Sequence, residues 1–252
     1  MAVVTCVNEG RALLARLFGE ARNAVVLTGA GVSTESGIPD YRSPGGIWAR
    51  FTPIEFADFV RSEASRLEDW RRRFVMKRDF DRAEPNVTHR ALARLTRTGA
   101  IALLITQNID GLHGRAGTAP ERLLEIHGNG THGSCLGCGL RAELVDLEAE
   151  IADTGIAPHC RACGGLVKAA VVSFGQAMPA DALARCERAV QSCDLFVAIG
   201  SSLQVYPAAG LPLLARAAGA ELVIVNGEPT GLDSRADHVL RGSVGEFFAG
   251  LD

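Results

Sequence analysis

Five apolar runs, each of strand length, divide this chain into an alternation that few architectures accommodate. Residues 24–27, 101–105, 170–174, 195–199 and 222–225 are compact Val-, Ile-, Leu- and Ala-rich segments bounded by polar residues or glycine, the pattern of strands buried on both faces. Between them, residues 11–21, 88–96, 179–192 and 207–217 carry Ala, Leu and Arg at helical spacing, with Pro179 and Pro207 suited to first-turn positions. Strands alternating with helices predict an α/β fold, a parallel sheet with helices on both faces. No run approaches the roughly 18 residues of a membrane-crossing helix. Residues 1–10 lack the basic-then-apolar pattern of a secretory signal, so the expected location is cytoplasmic.

Two segments break the alternation. Residues 43–85 open on Pro44, Gly45, Gly46 and Pro53, then become Arg-rich and helical over 56–82, which reads as an excursion covering a cleft, its arginines from Arg66 to Arg82 on a solvated face. Residues 130–167 show little apolar periodicity and read as a small inserted module. The expected organisation is one unit over residues 1–252. Its large domain comprises about 1–46, 86–129 and 168–252, and its small domain the excursion 47–85 with the module 130–167.

The module holds four of the seven cysteines, as Cys135-x-x-Cys138 and Cys160-x-x-Cys163 with 21 residues between the pairs. In a reducing compartment two such knuckles are the ligand set of a closed tetrahedral Zn²⁺ site, which leaves no position open for catalysis and makes the metal structural. A pair of redox dithiols is the competing reading. His132 and His159 are substitute ligands in principle but are expected in exposed turns, while Cys6, Cys186 and Cys193 read as small residues of helices or a tail.

The turns that leave the strands are more telling than the strands. Thr28-Gly29-Ala30-Gly31, Thr106-Gln107-Asn108-Ile109-Asp110, Gly200-Ser201-Ser202 and Asn226-Gly227-Glu228 each sit at a strand's carboxyl end, where open α/β sheets bind ligands, so one cleft can gather all four. Gly29-Ala30-Gly31 resembles the opening of a Rossmann-like dinucleotide fingerprint, yet Thr34 stands where the third glycine belongs and no acidic residue closes a second strand. An ordinary nicotinamide dehydrogenase is therefore a poor fit. The same loop continues through Ser33, Ser36, Pro39, Asp40, Tyr41 and Arg42, richer in function than phosphate cradling requires.

The run from Gly29 through Gly37-Ile38-Pro39-Asp40-Tyr41-Arg42, with Thr106-Gln107-Asn108-Ile109-Asp110, His127-Gly128, the two cysteine pairs, Gly200-Ser201-Ser202 and Val225-Asn226, resembles the sirtuins in order and spacing over residues 24–248. Thr52-Pro53-Ile54 to Phe74 and Ser201-Ser202-Leu203-Gln204-Val205-Tyr206 are similar to the class II branch. The resemblance implies an NAD-dependent protein-lysine deacylase of deacetylase type, which consumes NAD, releases nicotinamide and leaves the acyl group on ADP-ribose. It implies His127 as base and Asn108 and Asp110 as catalytic residues of the nicotinamide pocket. Gly29, Ala30, Gly31, Ser36, Asp40, Tyr41, Arg42, Gln107, Ile109, Gly200, Ser201, Ser202, Asn226, Gly227, Glu228 and Val244 are the other implied NAD contacts. Val172, Ser173, Phe174 and Gly175 would pair with the acylated peptide as an added strand. His89, His113 and His238 read as satisfied structural histidines.

The chain departs from the family pattern at Ser173, where an aromatic residue is usual, and at Gln176, where an acid is usual. A succinyl preference is not expected, because Arg71 and Phe74 stand at the places of that branch's Tyr and Arg. The expected partners are acylated-lysine proteins, with no membrane and no direct nucleic acid, since 29 acidic residues outnumber 26 basic ones and aromatics are 6%. Mono-ADP-ribosyl transfer to protein and non-catalytic sensing of NAD or ADP-ribose are the alternative readings.

Overall fold

A computed structural model of the chain describes residues 2–251, so the domain ends expected at Met1 and Asp252 lie outside the described residues. The elements run β1 (Ala2–Val4), α1 (Val7–Glu20), β2 (Ala24–Thr28), α2 (Ile47–Arg50), α3 (Phe56–Arg61), α4 (Glu63–Arg82), α5 (Val87–Thr98) and β3 (Ile101–Thr106). They continue through α6 (Leu112–Arg115), β4 (Leu123–Glu125), β5 (Gly128–Cys135), β6 (Arg141–Glu143), α7 (Leu144–Thr154), β7 (Val167–Val171), α8 (Ala180–Ser192) and β8 (Leu195–Ile199). Then come α9 (Leu211–Ala217), β9 (Glu221–Asn226), β10 (His238–Arg241) and α10 (Val244–Phe248).

Seven strands form one sheet in the order β1-β10-β9-β8-β2-β3-β4, and every pairing in it is parallel. From β2 the chain builds outward through β3 and β4 on one side and through β8, β9 and β10 on the other. That reversal opens a crevice at the carboxyl ends of β2, β3 and β8. The two-residue period of the strands sorts the core. Ala24, Val26, Leu104, Val197 and Val223 face α1, α5 and α10 through Leu14, Leu92 and Phe247. Val25, Leu27, Ile105, Phe196 and Ile224 face α8 and α9 through Val190, Leu211 and Ala215. Each fully buried Val, Leu, Ile or Phe among them contributes about 1.5–3 kcal/mol by leaving water.

A second sheet, β6-β5-β7, is antiparallel and packs with α4 and α7 around Trp70, Phe74, Leu112, Leu144, Leu147 and Val167. Four expectations are corrected here. The run expected at 170–174 is not a strand of the parallel sheet: β7 ends at Val171 and pairs with β5, and the chain then turns at Gly175 (φ +73°) along the cleft. Residues 130–167 contain a helix after all, α7, whose Leu144, Leu147 and Ile151 form a short apolar stripe. The stretch expected to be helical over 56–82 is two helices, α3 and α4, separated where Ser62 caps α4 by accepting from Ser65 N at 3.2 Å, and the arginines of α4 are not all on a solvated face, since Arg72 and Arg73 line the cleft while the helix buries Trp70, Phe74 and Phe80. Finally, residues 207–217 begin as a single 3₁₀ turn (Ala208–Gly210) before α9.

Candidate active site

The four strand ends open into one cleft of about 1400 Å³, walled on the far side by α2, α4 and the segment after β7. Its floor depends on glycine. Gly31 N donates to Gly200 O at 2.8 Å, and a Cβ on Gly29 or Gly31 would lie 2.7 or 2.9 Å from that oxygen, inside contact distance. The turns after β2 and β8 therefore close against each other only without side chains.

Of the residues implied by motif, Gly29, Ala30, Gly31, Asp40, Tyr41, Arg42, Gln107, Asn108, Ile109 and His127 line this cleft. So do Val172, Ser173, Phe174, Gly175, Gly200, Ser201, Ser202, Asn226, Gly227, Glu228 and Val244. Ser36 and Asp110 stand behind its wall. Asp110 is buried, accepting from Leu112 N at 2.8 Å and from Ser33 Oγ at 2.7 Å; Ser36 Oγ meets Asn86 Nδ2 at 3.0 Å.

His127 is the last residue of the short connection from β4 to β5. Its Nδ1 lies 3.1 Å from the carbonyl of Gln107. A carbonyl only accepts, so Nδ1 carries the hydrogen and Nε2 keeps its lone pair. Burial pulls the imidazole below its ordinary pKa, and the Gln107 contact acts the other way, so the ring is neutral at pH 7. Asn108 donates from Nδ2 to Gly29 O and to Ser33 Oγ, both at 3.1 Å, which leaves its Oδ1 to accept. Ser33, Asn108 and Asp110 thus form one buried relay. On the other wall Gln107 Nε2 donates to Ser201 Oγ at 2.8 Å, linking the turns after β3 and β8.

The motifs named Tyr41 and Phe174 but not Trp48, which joins them into an aromatic rim. Tyr41, Trp48 and Phe174 sit ring to ring, at centroid distances of 5.5 and 5.7 Å, and the Arg42 guanidinium lies 4.1 Å over Trp48. Trp48 follows a Pro-Gly-Gly turn, and a tryptophan just after such a turn was the available signal. Burial raises the Tyr41 pKa, and the charge of Arg73 opposes it, so the phenol stays neutral. Asp69, Arg72 and Arg73 of α4 also line the cleft, whereas Phe74 stacks on Trp70 in the core.

The remaining histidines have structural partners. His113 Nε2 meets Thr28 Oγ1 at 2.9 Å, His89 completes a capping box with Asn86, and His238 pairs with Glu221 at 2.9 Å.

The four cysteine sulfurs of the module all lie within 4.8 Å of one another, two pairs being 3.4 and 3.6 Å apart. Zn–S bonds of about 2.3 Å place tetrahedral sulfurs about 3.8 Å apart, so the donor set fits Zn²⁺. The N–H groups of Cys138 and Gly137 point at Cys135 Sγ and draw its thiol down to about 6. Although the Gly165 N–H favours the Cys163 thiolate, the neighbouring Cys135 and Cys138 push that thiol up to about 12. Such mutual repulsion is what a cation relieves. His159 is exposed and bonds Gly164 O at 3.0 Å; neither it nor His132 joins the cluster.

Residues 29–207 match the model of the Sir2 family. The NAD-dependent protein deacetylase of Rhodopseudomonas palustris is 51% identical over 244 residues, which are 97% of this chain and 96% of that protein. NAD-dependent protein deacetylase 1 of Bradyrhizobium diazoefficiens is 49% identical, with the same coverage of 97% and 96%. A solved structure of Sir2 with a deacetylated p53 peptide and 3'-O-acetyl ADP-ribose superposes with a TM-score of 0.86 at 35% identity, over 94% of this chain and 95% of the other.

Proposed function

The chain belongs to the Sir2 family, and from that premise we propose how its cleft divides the work of deacylation. The protein is an NAD-dependent protein-lysine deacylase of deacetylase type, which releases nicotinamide and transfers the acyl group to ADP-ribose. One observation carries the assignment of the base: the Gln107 carbonyl fixes the His127 tautomer with Nε2 free to accept a proton from a ribose hydroxyl. Asn108 Oδ1 accepts from a carboxamide N–H, and Asp110 acts through Ser33 to hold Asn108 in that orientation. Gln107, Ser201 and Ser202 take ribose and phosphate oxygens. Asn226, Glu228 and Val244 surround the adenosine, Arg42 orients the phosphates, and Tyr41 excludes water from the cleavage point. The acylated peptide adds as a strand along residues 172–175.

Cys135, Cys138, Cys160 and Cys163 hold one structural Zn²⁺, which closes the small sheet and takes no part in the chemistry. We further infer class II membership and two lobes, 1–46 with 86–129 and 168–252 against 47–85 with 130–167, the β5–β7 ladder crossing between them. The reading places the enzyme in the cytoplasm, where four thiols stay reduced for the metal, and takes acylated proteins rather than nucleic acid or membrane as partners. Among the described residues no helix is long and apolar enough to cross a membrane.

The test is to incubate the protein with NAD and acetyl-, longer acyl- and unmodified lysine peptides and follow nicotinamide and peptide mass. Loss of acyl mass matched by acyl-ADP-ribose is the expected outcome. ADP-ribose mass gained by a peptide would replace this reading with protein ADP-ribosylation.

A further inference from the structure

Lys168 is a buried cation that no step of this reaction uses. It is one of only two lysines in the chain, it is 2% exposed, and it sits on β7 opposite Ser134 of β5. Its ammonium folds back along its own strand. Nζ donates to the carbonyls of Ala169, at 3.1 Å, and Val171, and to Ser173 Oγ at 3.0 Å. Three N–H donors meet three acceptors, so the group is saturated. Burying an ammonium costs several kcal/mol, and an apolar side chain of similar volume fills a strand interior without that cost. What the charge gains is control of the residues just beyond the strand.

Those residues are the proposed peptide edge. Val172 N donates to the carbonyl of His127 at 2.8 Å, Ser173 N to Gln176 Oε1 at 3.1 Å, and Phe174 O accepts from Phe56 N at 2.8 Å. Ser173 and Gln176, two of the places where the sequence departs from the sirtuin pattern, are therefore joined in one network that ends on Lys168. The hydroxyl and amide that replace an aromatic ring and an acid are the groups this network uses.

We propose that Lys168 is a positioning residue for the acylated peptide: by pinning the Val171 carbonyl and the Ser173 hydroxyl it holds residues 172–175 beside His127 as a ready edge for strand addition. The proposal rests on the deacylase reading and on peptide pairing along that segment. Preorganisation of this kind lowers the ordering cost of binding, so its loss falls on the peptide and not on NAD.

The charged groups felt at Lys168 both come from α4. Burial and then Arg73 draw its pKa down to about 8, and Asp69 acts the other way. A neutral amine has two N–H groups for three acceptors. The peptide KM of the native enzyme is therefore expected to rise as pH passes about 8.

The experiment compares native enzyme with K168M, K168R and S173A, each checked for zinc content and melting temperature. K168M is expected to raise peptide KM roughly tenfold, the loss of hydrogen bonds from a charged donor, while NAD KM and kcat stay within about twofold. K168R, charged at every pH used, recovers most of the affinity and loses the rise near pH 8. S173A, the milder change, gives a smaller increase. Hydrogen exchange of the amides of residues 172–176, expected to be roughly tenfold faster in K168M, reads the edge without turnover. Should the native enzyme fail to deacylate any peptide, the functional reading falls, and exchange still decides whether Lys168 orders the segment. Native peptide KM and native exchange in folded, zinc-loaded K168M and S173A would overturn the proposal. So would a KM increase that K168R does not reduce.

Discussion

At the scale of the residue, the acceptor nitrogen of His127 is fixed by a backbone atom, which makes its titration a usable probe. Burial holds its pKa below the ordinary histidine range, so the ring is neutral through pH 7 and becomes a cation only in acid. A protonated ring has no lone pair to accept from a ribose hydroxyl. kcat/KM for the acetylated peptide is thus expected to be flat near pH 7 and to fall on the acid side, with its midpoint below 6.5. His127→Ala should lower kcat/KM by about 10²–10⁴-fold and remove that acid limb. A profile whose midpoint lies above 7, or an Ala variant with native turnover, would contradict the assignment. This residue was legible because a His-Gly pair stands in register with five other motifs. The relay from Asp110 through Ser33 to Asn108 was not, because a motif gives order along the chain and not which side chain stands in front of which.

At the scale of the element, long apolar runs were legible and short strands were not. β2, β3, β8 and β9 carry five or six residues each, buried on both faces, and announce themselves. β1, β4 and β10 have three or four residues, too few to show a period, and the sheet recruits them. Helix α5 shows how an element and the cleft share a part. Asn86 caps it, accepting from Thr88 N at 3.0 Å, while His89 Nδ1 faces Asn86 N at 3.3 Å and Asn86 Nδ2 reaches Val32 O at 2.7 Å in the cleft loop. Burial, with Arg90 adding to it, holds His89 at about 4. The unfolded chain binds this proton below about 6.5 and the folded chain does so only near 4, so stability is lost as pH falls between those values and is unaffected above them. His113, buried beside His89 at 4.8 Å between rings and also lowered by burial, adds to the same slope. His89→Gln preserves a reach-back to the cap and cannot titrate. Its melting temperature should therefore fall less steeply than the native one between pH 6.5 and 4; an identical slope in thermal scans would show that the acid sensitivity lies elsewhere.

At the scale of the whole molecule, metal and chemistry sit at opposite ends of one ladder. In the β5–β7 pair, Cys135 is opposite Val167 at the zinc end and Gly128 is opposite Val171 at the cleft end. Gly128 follows His127 directly, and Val171 precedes the peptide segment. A module with so small a core needs its metal to stay folded, and unfolding there releases both strands that set His127 against residues 172–175. The seven-stranded sheet has its own two cores and does not share the dependence. The chain order revealed the knuckles and their ligand set, while the coupling required knowing that β7 leaves the parallel sheet to pair with β5. Removal of zinc with a strong chelator, or Cys160→Ser, should therefore release about one equivalent of metal and unfold the small sheet. Deacylation should fall at least tenfold, through both kcat and peptide KM, while ADP-ribose still raises the melting temperature of the large sheet. A zinc-free enzyme with native peptide KM would show that the ladder does not transmit the state of the metal site. Simultaneous loss of ADP-ribose binding would show that the two sheets fold as one unit.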